Sequence, residues 1–237
     1  MAQVLSAALK VVAIVLPYFL TGYFGLKLDA VAGFATLVWP PVGIALAGLL
    51  LWGIAYWPAI FVAAFALNFV QESGSVGVAL GIATGNTLEA IVGAALLRRV
   101  GFDLSLGRLK DVVALLGLAA GLSTMVSSTF GVASLRLGGV IESAGMVSAW
   151  KTWWTGDFLG NLIVAPWILT WAQVVRKAKW VRIPARTILL RLVETVAVGT
   201  VFILLCRWIF LGPTSPTAYA LFTGIIWAAL RFGQIGV

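Results

Sequence analysis

Apolar runs of about twenty residues recur along the chain, separated by short charged or Gly/Pro-rich breaks. This pattern predicts an all-α fold: a polytopic transmembrane helical bundle of about eight spans, some of them broken or kinked. The first span runs from Ser6 to Leu26, and Pro17 near its middle removes a backbone donor. It is expected to be a retained span rather than a cleaved signal, because no convincing small-residue cleavage site follows it. The second, Phe34–Gly53, contains Trp39-Pro40-Pro41, which predicts an irregular start followed by a helix from Pro41. Irregular backbone at membrane depth needs cover from protein or a wet cavity. The Trp39-Pro40-Pro41 break is therefore expected to line a cavity, the alternative being a plain change of helix. A third span covers Trp57–Val70, and the short IAYW link before it predicts an antiparallel hairpin with the second.

The fourth span, Ser75–Leu97, carries Gly77, Gly81, Gly85 and Gly93, with Glu89 in the remaining four-residue step. Such a smooth stripe lets another helix approach closely and turns Glu89 into that interface. A basic loop, Arg98–Lys110, leads to a fifth span over Asp111–Leu135 with a Ser/Thr cluster that includes Ser123 and Ser127. A sixth span ends near Trp171, and a stretch with six basic residues, Gln173–Arg191, follows it. The seventh and eighth are predicted at Leu192–Phe210 and Thr217–Leu230.

One stretch of the sixth span departs from plain apolar sequence. Between Ala149 and Pro166, helical spacing puts Trp150, Trp153, Trp154, Asp157 and Asn161 on one face. A carboxylate at membrane depth costs roughly 2.5–3.5 kcal/mol on insertion scales, so Asp157 requires partners inside the protein. Counted at 1.5 Å per residue, Asp157 and Glu89 lie roughly 12 and 20 Å into their spans, near enough in level to share one cavity. Asn86, Thr87 and Asn161 would be their neutral partners. Lys151 falls well round the helix from Asp157, so a cation from another span is the better expected partner. The two acids either hold the bundle in register or form a ligand, ion or proton site. The tryptophans either form an interfacial belt or wall the pocket.

Composition narrows the chemistry. Of 237 residues, 62% are hydrophobic and 10% are charged, which places the chain in the bilayer. There is no histidine and one cysteine, Cys206, which removes an intramolecular disulfide, Cys/His zinc sites and His-based triads. Thr155–Asp157 lacks the further upstream glycine expected of an intramembrane aspartyl protease. No catalytic constellation, metal or cofactor is expected. The net charge of +8 is assigned to topology and anionic lipid, not to nucleic acid. With an even number of spans, twelve Lys/Arg fall on the N-terminal side of the bilayer and four on the other. The N-terminus is therefore expected in the cytoplasm, with the protein multi-pass in a bacterial inner membrane.

Three stretches together resemble the MASE1 family of membrane sensor domains: WPPVGIALAGLLLWG at Trp39–Gly53, LGIATGNTLEAIVGAALLRR at Leu80–Arg99, and WWTGDFLGNLIVAP at Trp153–Pro166. WAALRFG at Trp227–Gly233 is also similar to it. The resemblance covers almost the whole chain and implies one sensor domain over residues 1–237, incomplete at its C-terminal end, with the output module absent. It further implies a fused or associated cytoplasmic histidine kinase or cyclic-di-GMP enzyme, homodimerisation, and regulation by an unknown small ligand or by membrane state. The expected site comprises Asp157, Glu89, Asn86, Asn161, Trp153, Trp154, Trp39, Pro40 and Pro41. The competing expectation is a membrane transporter, or its substrate-binding component, with a midplane carboxylate site.

Overall fold

The computed structural model describes residues 2–28, 38–71 and 75–177, with a few scattered positions between 193 and 204. Helices dominate the described residues, and no strand occurs among them. The chain divides into two compact units, Met1–Leu169 and Thr170–Val237. The packing below belongs to the first. The predicted seventh and eighth spans and the Trp227–Gly233 stretch lie outside the described residues, apart from those scattered positions.

Helix α1 covers Ala2–Leu28, α2 Pro40–Trp52, α3 Trp57–Gln71 and α4 Val76–Arg99. A long helical segment follows, made of α5 (Leu109–Ala114), a π-helical stretch (Leu115–Ser123) and α6 (Thr124–Leu137). Helix α7 runs from Met146 to Lys177 with Pro166 inside it. Four of these segments are long and apolar enough to cross a membrane: Ser6–Lys27, Val76–Arg99, Leu109–Leu137 and Ser143–Arg176. Helices α2 and α3 are shorter. At 1.5 Å per residue, α2 reaches about 20 Å, less than a hydrocarbon core of about 30 Å.

The short helix is the centre of the bundle. Every residue from Pro41 to Leu50 is buried, as expected of a helix that is apolar all round. It starts with two prolines, which lack the N–H groups a helix start leaves unpaired. It ends at Gly53, whose φ of +113° suits glycine and few other residues. Arg98 of α4 closes that end by donating to the carbonyls of Leu49 (2.5 Å) and Leu50 (3.5 Å), two of the acceptors a helix end leaves free.

The three-residue 3₁₀ link Ile54–Tyr56 does not produce the expected hairpin. Helices α2 and α3 each pack against α1 and α4 and hardly touch one another. A buried α2 gains more from being surrounded than from pairing with its chain neighbour.

Helix α4 packs most extensively against α6 and α3. The expected glycine stripe accounts for the first of these. A Cβ on Gly81 would run into the Ser134 side chain, and one on Gly85 would lie 2.5 Å from the Phe130 Cβ. On Gly93 it would lie 2.9 Å from the Ser123 hydroxyl. Gly77 is different, with nothing within 4 Å of a Cβ built there.

Around the apolar core, several polar side chains are buried while many large apolar ones face outward. Leu16, Leu20, Phe24, Val62, Phe130 and Ile163 are exposed, while Asn86, Glu89, Ser127, Asp157 and Asn161 are buried. That inversion suits a lipid environment. The loop after α4 has its own buried acid: Asp111 accepts a bidentate pair from Arg108 (2.6 and 2.8 Å) and the Asp103 amide (3.0 Å). Asp103 in turn accepts from the Ser105 amide, which holds its carboxyl below the usual carboxylate range.

The stripe predicts a contrast between two of its own members. Gly85→Val should lower stability in detergent by about 1–3 kcal/mol through overpacking against α6. Gly77→Ala should be neutral or stabilising by up to about 1 kcal/mol, since it only removes helix-glycine entropy. Equal thermal shifts for the two variants would contradict this packing.

Candidate functional site

The site begins with backbone proximity. Within α7, Gly156 and Gly160 lie one turn apart and let the start of α2 come into contact. The Trp39 amide donates to the Gly156 carbonyl at 2.9 Å. A Cβ on Gly160 would strike the Trp39 carbonyl, and one on Gly43 would lie 2.6 Å from the Gly160 carbonyl oxygen. No larger residue fits these positions without a shift of α2 against α7. The indole of Trp39 and the ring of Pro41 face α1, each within 3.3 Å of a Cβ placed on Gly22. The Trp39-Pro40-Pro41 break is thus a three-way joint between α1, α2 and α7.

This joint sets the level of Asp157 and Asn161, one turn apart on α7 and each 1% exposed. Opposite them on α4 is Glu89, 2% exposed, carried inward by the glycine stripe. The Asn161 amide donates to Glu89 Oε1 at 3.0 Å, and the Ser127 hydroxyl of α6 donates to Asp157 Oδ2 at 2.5 Å. The two carboxyls are themselves direct neighbours, and the Trp153 indole sits beside that of Asp157. One turn before Glu89, the Asn86 amide donates to the Tyr18 hydroxyl of α1 at 3.0 Å. Four helical segments therefore meet through side-chain hydrogen bonds in a dry interior.

The satisfaction is incomplete in one sense only. Glu89 Oε2, Asn86 Oδ1 and Asn161 Oδ1 are buried without a hydrogen-bond partner, and all three are acceptors. They belong to residues that line one crevice, together with Tyr18 and Ser123. Val42, Ala45 and Leu46 of α2 form its apolar wall. The crevice holds about 220 Å³ of unfilled space, but nowhere is it wide enough to seat a water molecule. No cation reaches the acids: among the described residues the one ion pair joins Arg108 to Asp111. Lys151 is exposed on α7.

The expected site residues separate into two groups. Glu89, Asn86 and Asn161 line the crevice, with Asp157 just behind them beside Glu89. Trp39 and Pro41 serve the helix joint, and Pro40 opens α2 at its start. They do not line this crevice; the rings of Trp39 and Pro41 pack toward α1, and the Trp39 backbone contacts α7. Trp153 is buried against Gly131 of α6, where a Cβ would lie 2.6 Å from its ring. Trp154 donates to the Gly121 carbonyl at 3.0 Å, within the π-helical stretch, and stacks between Trp150 and Phe158. Trp153 fastens α7 to α6, and Trp154 fastens it to the π-helical stretch.

Tyr18 escaped the sequence reading. Its signal was a phenolic hydroxyl in the middle of an apolar span, which requires an internal partner. Ser127 was visible only as one member of a Ser/Thr cluster; nothing in the cluster's spacing singled it out.

An apolar exterior around a buried carboxyl–amide network defines a membrane-embedded helical domain. The chain belongs to the MASE1 family, a family of membrane-associated sensor domains, whose model matches residues 11–237. No curated protein and no solved structure matches the chain.

Two adjacent serines test the network. Ser127→Ala should destabilise the domain by roughly 1–3 kcal/mol, because it leaves a buried carboxyl oxygen unpaired. Ser128 donates only to the Thr124 carbonyl of its own helix, so Ser128→Ala should cost much less. Unfolding in detergent with equal losses for both variants would remove Ser127 from the network.

Proposed function

We propose that this domain is the signal-input part of a bacterial inner-membrane protein. It binds a small ligand, or responds to membrane state, and regulates a cytoplasmic histidine kinase or cyclic-di-GMP enzyme fused to it or associated with it. Catalysis belongs to that module, and this chain contributes none. The N-terminus is cytoplasmic, in keeping with the twelve-to-four distribution of Lys and Arg. The working form is a homodimer, since a helix displacement must reach a paired output.

The observation that carries this reading is the crevice of unpaired acceptors where α4 and α7 meet. A ligand that satisfied those acceptors would favour one arrangement of α7 against α4. Only such differential affinity can shift a conformational equilibrium. Displacements of about 1–2 Å between packed helices are enough for switching of this kind. Membership in a sensor family points the same way.

In a full-length protein carrying its output module, Asp157→Ala and Glu89→Ala should each abolish regulation while membrane insertion is kept. Output that responds normally in both variants would remove these residues from the signalling path. Substrate uptake into liposomes, lost in Asp157→Asn, would instead favour the transporter reading, in which the same acids serve a midplane site.

A further inference from the structure

We propose that the crevice between α1, α2, α4 and α7 binds a single small monovalent cation of the sodium class. This deepens the sensor reading above and rests on it, because the cation would be the ligand that biases α7 against α4.

The sign of the unpaired groups points to a cation. Among the described residues three buried side-chain polar atoms lack hydrogen-bond partners, and each is an oxygen acceptor: Glu89 Oε2, Asn86 Oδ1 and Asn161 Oδ1. These acceptors outnumber the donors left beside them: the Tyr18 hydroxyl, which accepts from Asn86, keeps its own proton for one of them. The orientation of Asn161 is fixed independently, because its amide nitrogen already donates to Glu89 Oε1 and its oxygen must point elsewhere. Two further oxygens border the same space. Ser123 spends its proton on the Ala119 carbonyl at 2.6 Å, and Tyr18 accepts from Asn86, so each retains lone-pair capacity.

Charge and size then narrow the guest. Among the described residues no basic side chain lines the crevice; Glu89 lines it, with the Asp157 carboxyl beside it. Asp157 is engaged by Ser127 behind it. Two touching carboxyls that share one proton carry one negative charge, and with the neutral oxygens that matches one positive charge. Magnesium usually keeps several waters, and this space seats none. Calcium takes 6–8 oxygens, more than the five groups on offer. Among the described residues no cluster of three or more His, Cys, Asp or Glu is present for a transition metal. A bare sodium ion is smaller than a water molecule. Potassium and organic ammonium ions would have to force α2 away from α7, where Gly43 and Gly160 already bring the backbones into contact.

The probe is sodium itself. The full chain in detergent, at fixed pH and ionic strength, is titrated with NaCl against KCl and choline chloride while thermal unfolding is followed. The inference expects a saturable upward shift with sodium alone. It also expects Glu89→Gln to abolish the shift, and Asn86→Ala to raise the half-saturating sodium concentration by about tenfold. Asn86→Ala keeps both carboxyls and the Asn161–Glu89 bond, so it remains informative if Glu89→Gln folds poorly. Equal shifts in all three salts, or a sodium-specific shift unchanged in both variants, would overturn the cation site.

Output measured in the module-bearing protein separates the two readings. Sodium-independent output that still collapses in Glu89→Gln sinks the cation and keeps the sensor. Saturable sodium binding that never alters output keeps the cation site and sinks the sensor reading.

Discussion

Two carboxyls buried side by side, with no cation beside them among the described residues, are the constraint that the rest of this structure answers to. Removing a charge from water costs several kcal/mol per ion even after the protein relaxes. Here Glu89 and Asp157 are 2% and 1% exposed, and the one ion pair among the described residues lies in the loop at Asp111. The acids are held by an amide from their own helix pair and a hydroxyl from a third helix. Helices that bury such a group must approach closely enough for those bonds to form.

Small residues make that approach possible. Gly85 and Gly93 bring α4 onto α6 and the end of the π-helical stretch, and they flank Glu89 by one turn on either side. Gly43 and Gly160 do the same between α2 and α7, where Trp39 adds a backbone hydrogen bond to Gly156. Within a bilayer, packing of this kind replaces the hydrophobic effect as the force that joins helices. The glycines and the acids are two halves of one arrangement: the first set the distance, and the second set what occurs at that distance. Trp153 secures the N-terminal part of α7 against α6, and Trp154 secures it against the π-helical stretch.

Much of this was legible in the chain. The four-residue recurrence of glycine predicted the face of α4 on which Glu89 sits, and the helical spacing of Asp157 and Asn161 predicted a shared face of α7. The depth count, roughly 12 and 20 Å, put the two acids at neighbouring levels of one cavity, and their carboxyls interact directly. Gly77 obeys the same spacing and yet touches nothing, because periodicity cannot show where a partner helix ends. The Ile54–Tyr56 link was read as a hairpin, since loop length alone says nothing about α1 and α4 competing for the same faces. The helix expected from Pro41 begins at Pro40, and the part of the predicted span before Val38 lies outside the described residues. The packing of Trp39-Pro40-Pro41 on α1 and α7 depended on glycines more than a hundred residues away, along with Gly22 and Gly25. Asp111 was expected as the first residue of the fifth span, and it is buried with Arg108, three residues earlier, paired to it.

The account's central claim is that α4 and α7 are coupled through their buried polar side chains, beyond mere contact. A double-mutant cycle on Glu89 and Asn161, using Glu89→Gln and Asn161→Ala in detergent unfolding, tests it most directly. A hydrogen-bonded pair in a membrane interior should show a coupling of about 0.6–2 kcal/mol. Strictly additive losses would mean that the two side chains ignore each other, and the network proposed to carry the signal would not exist.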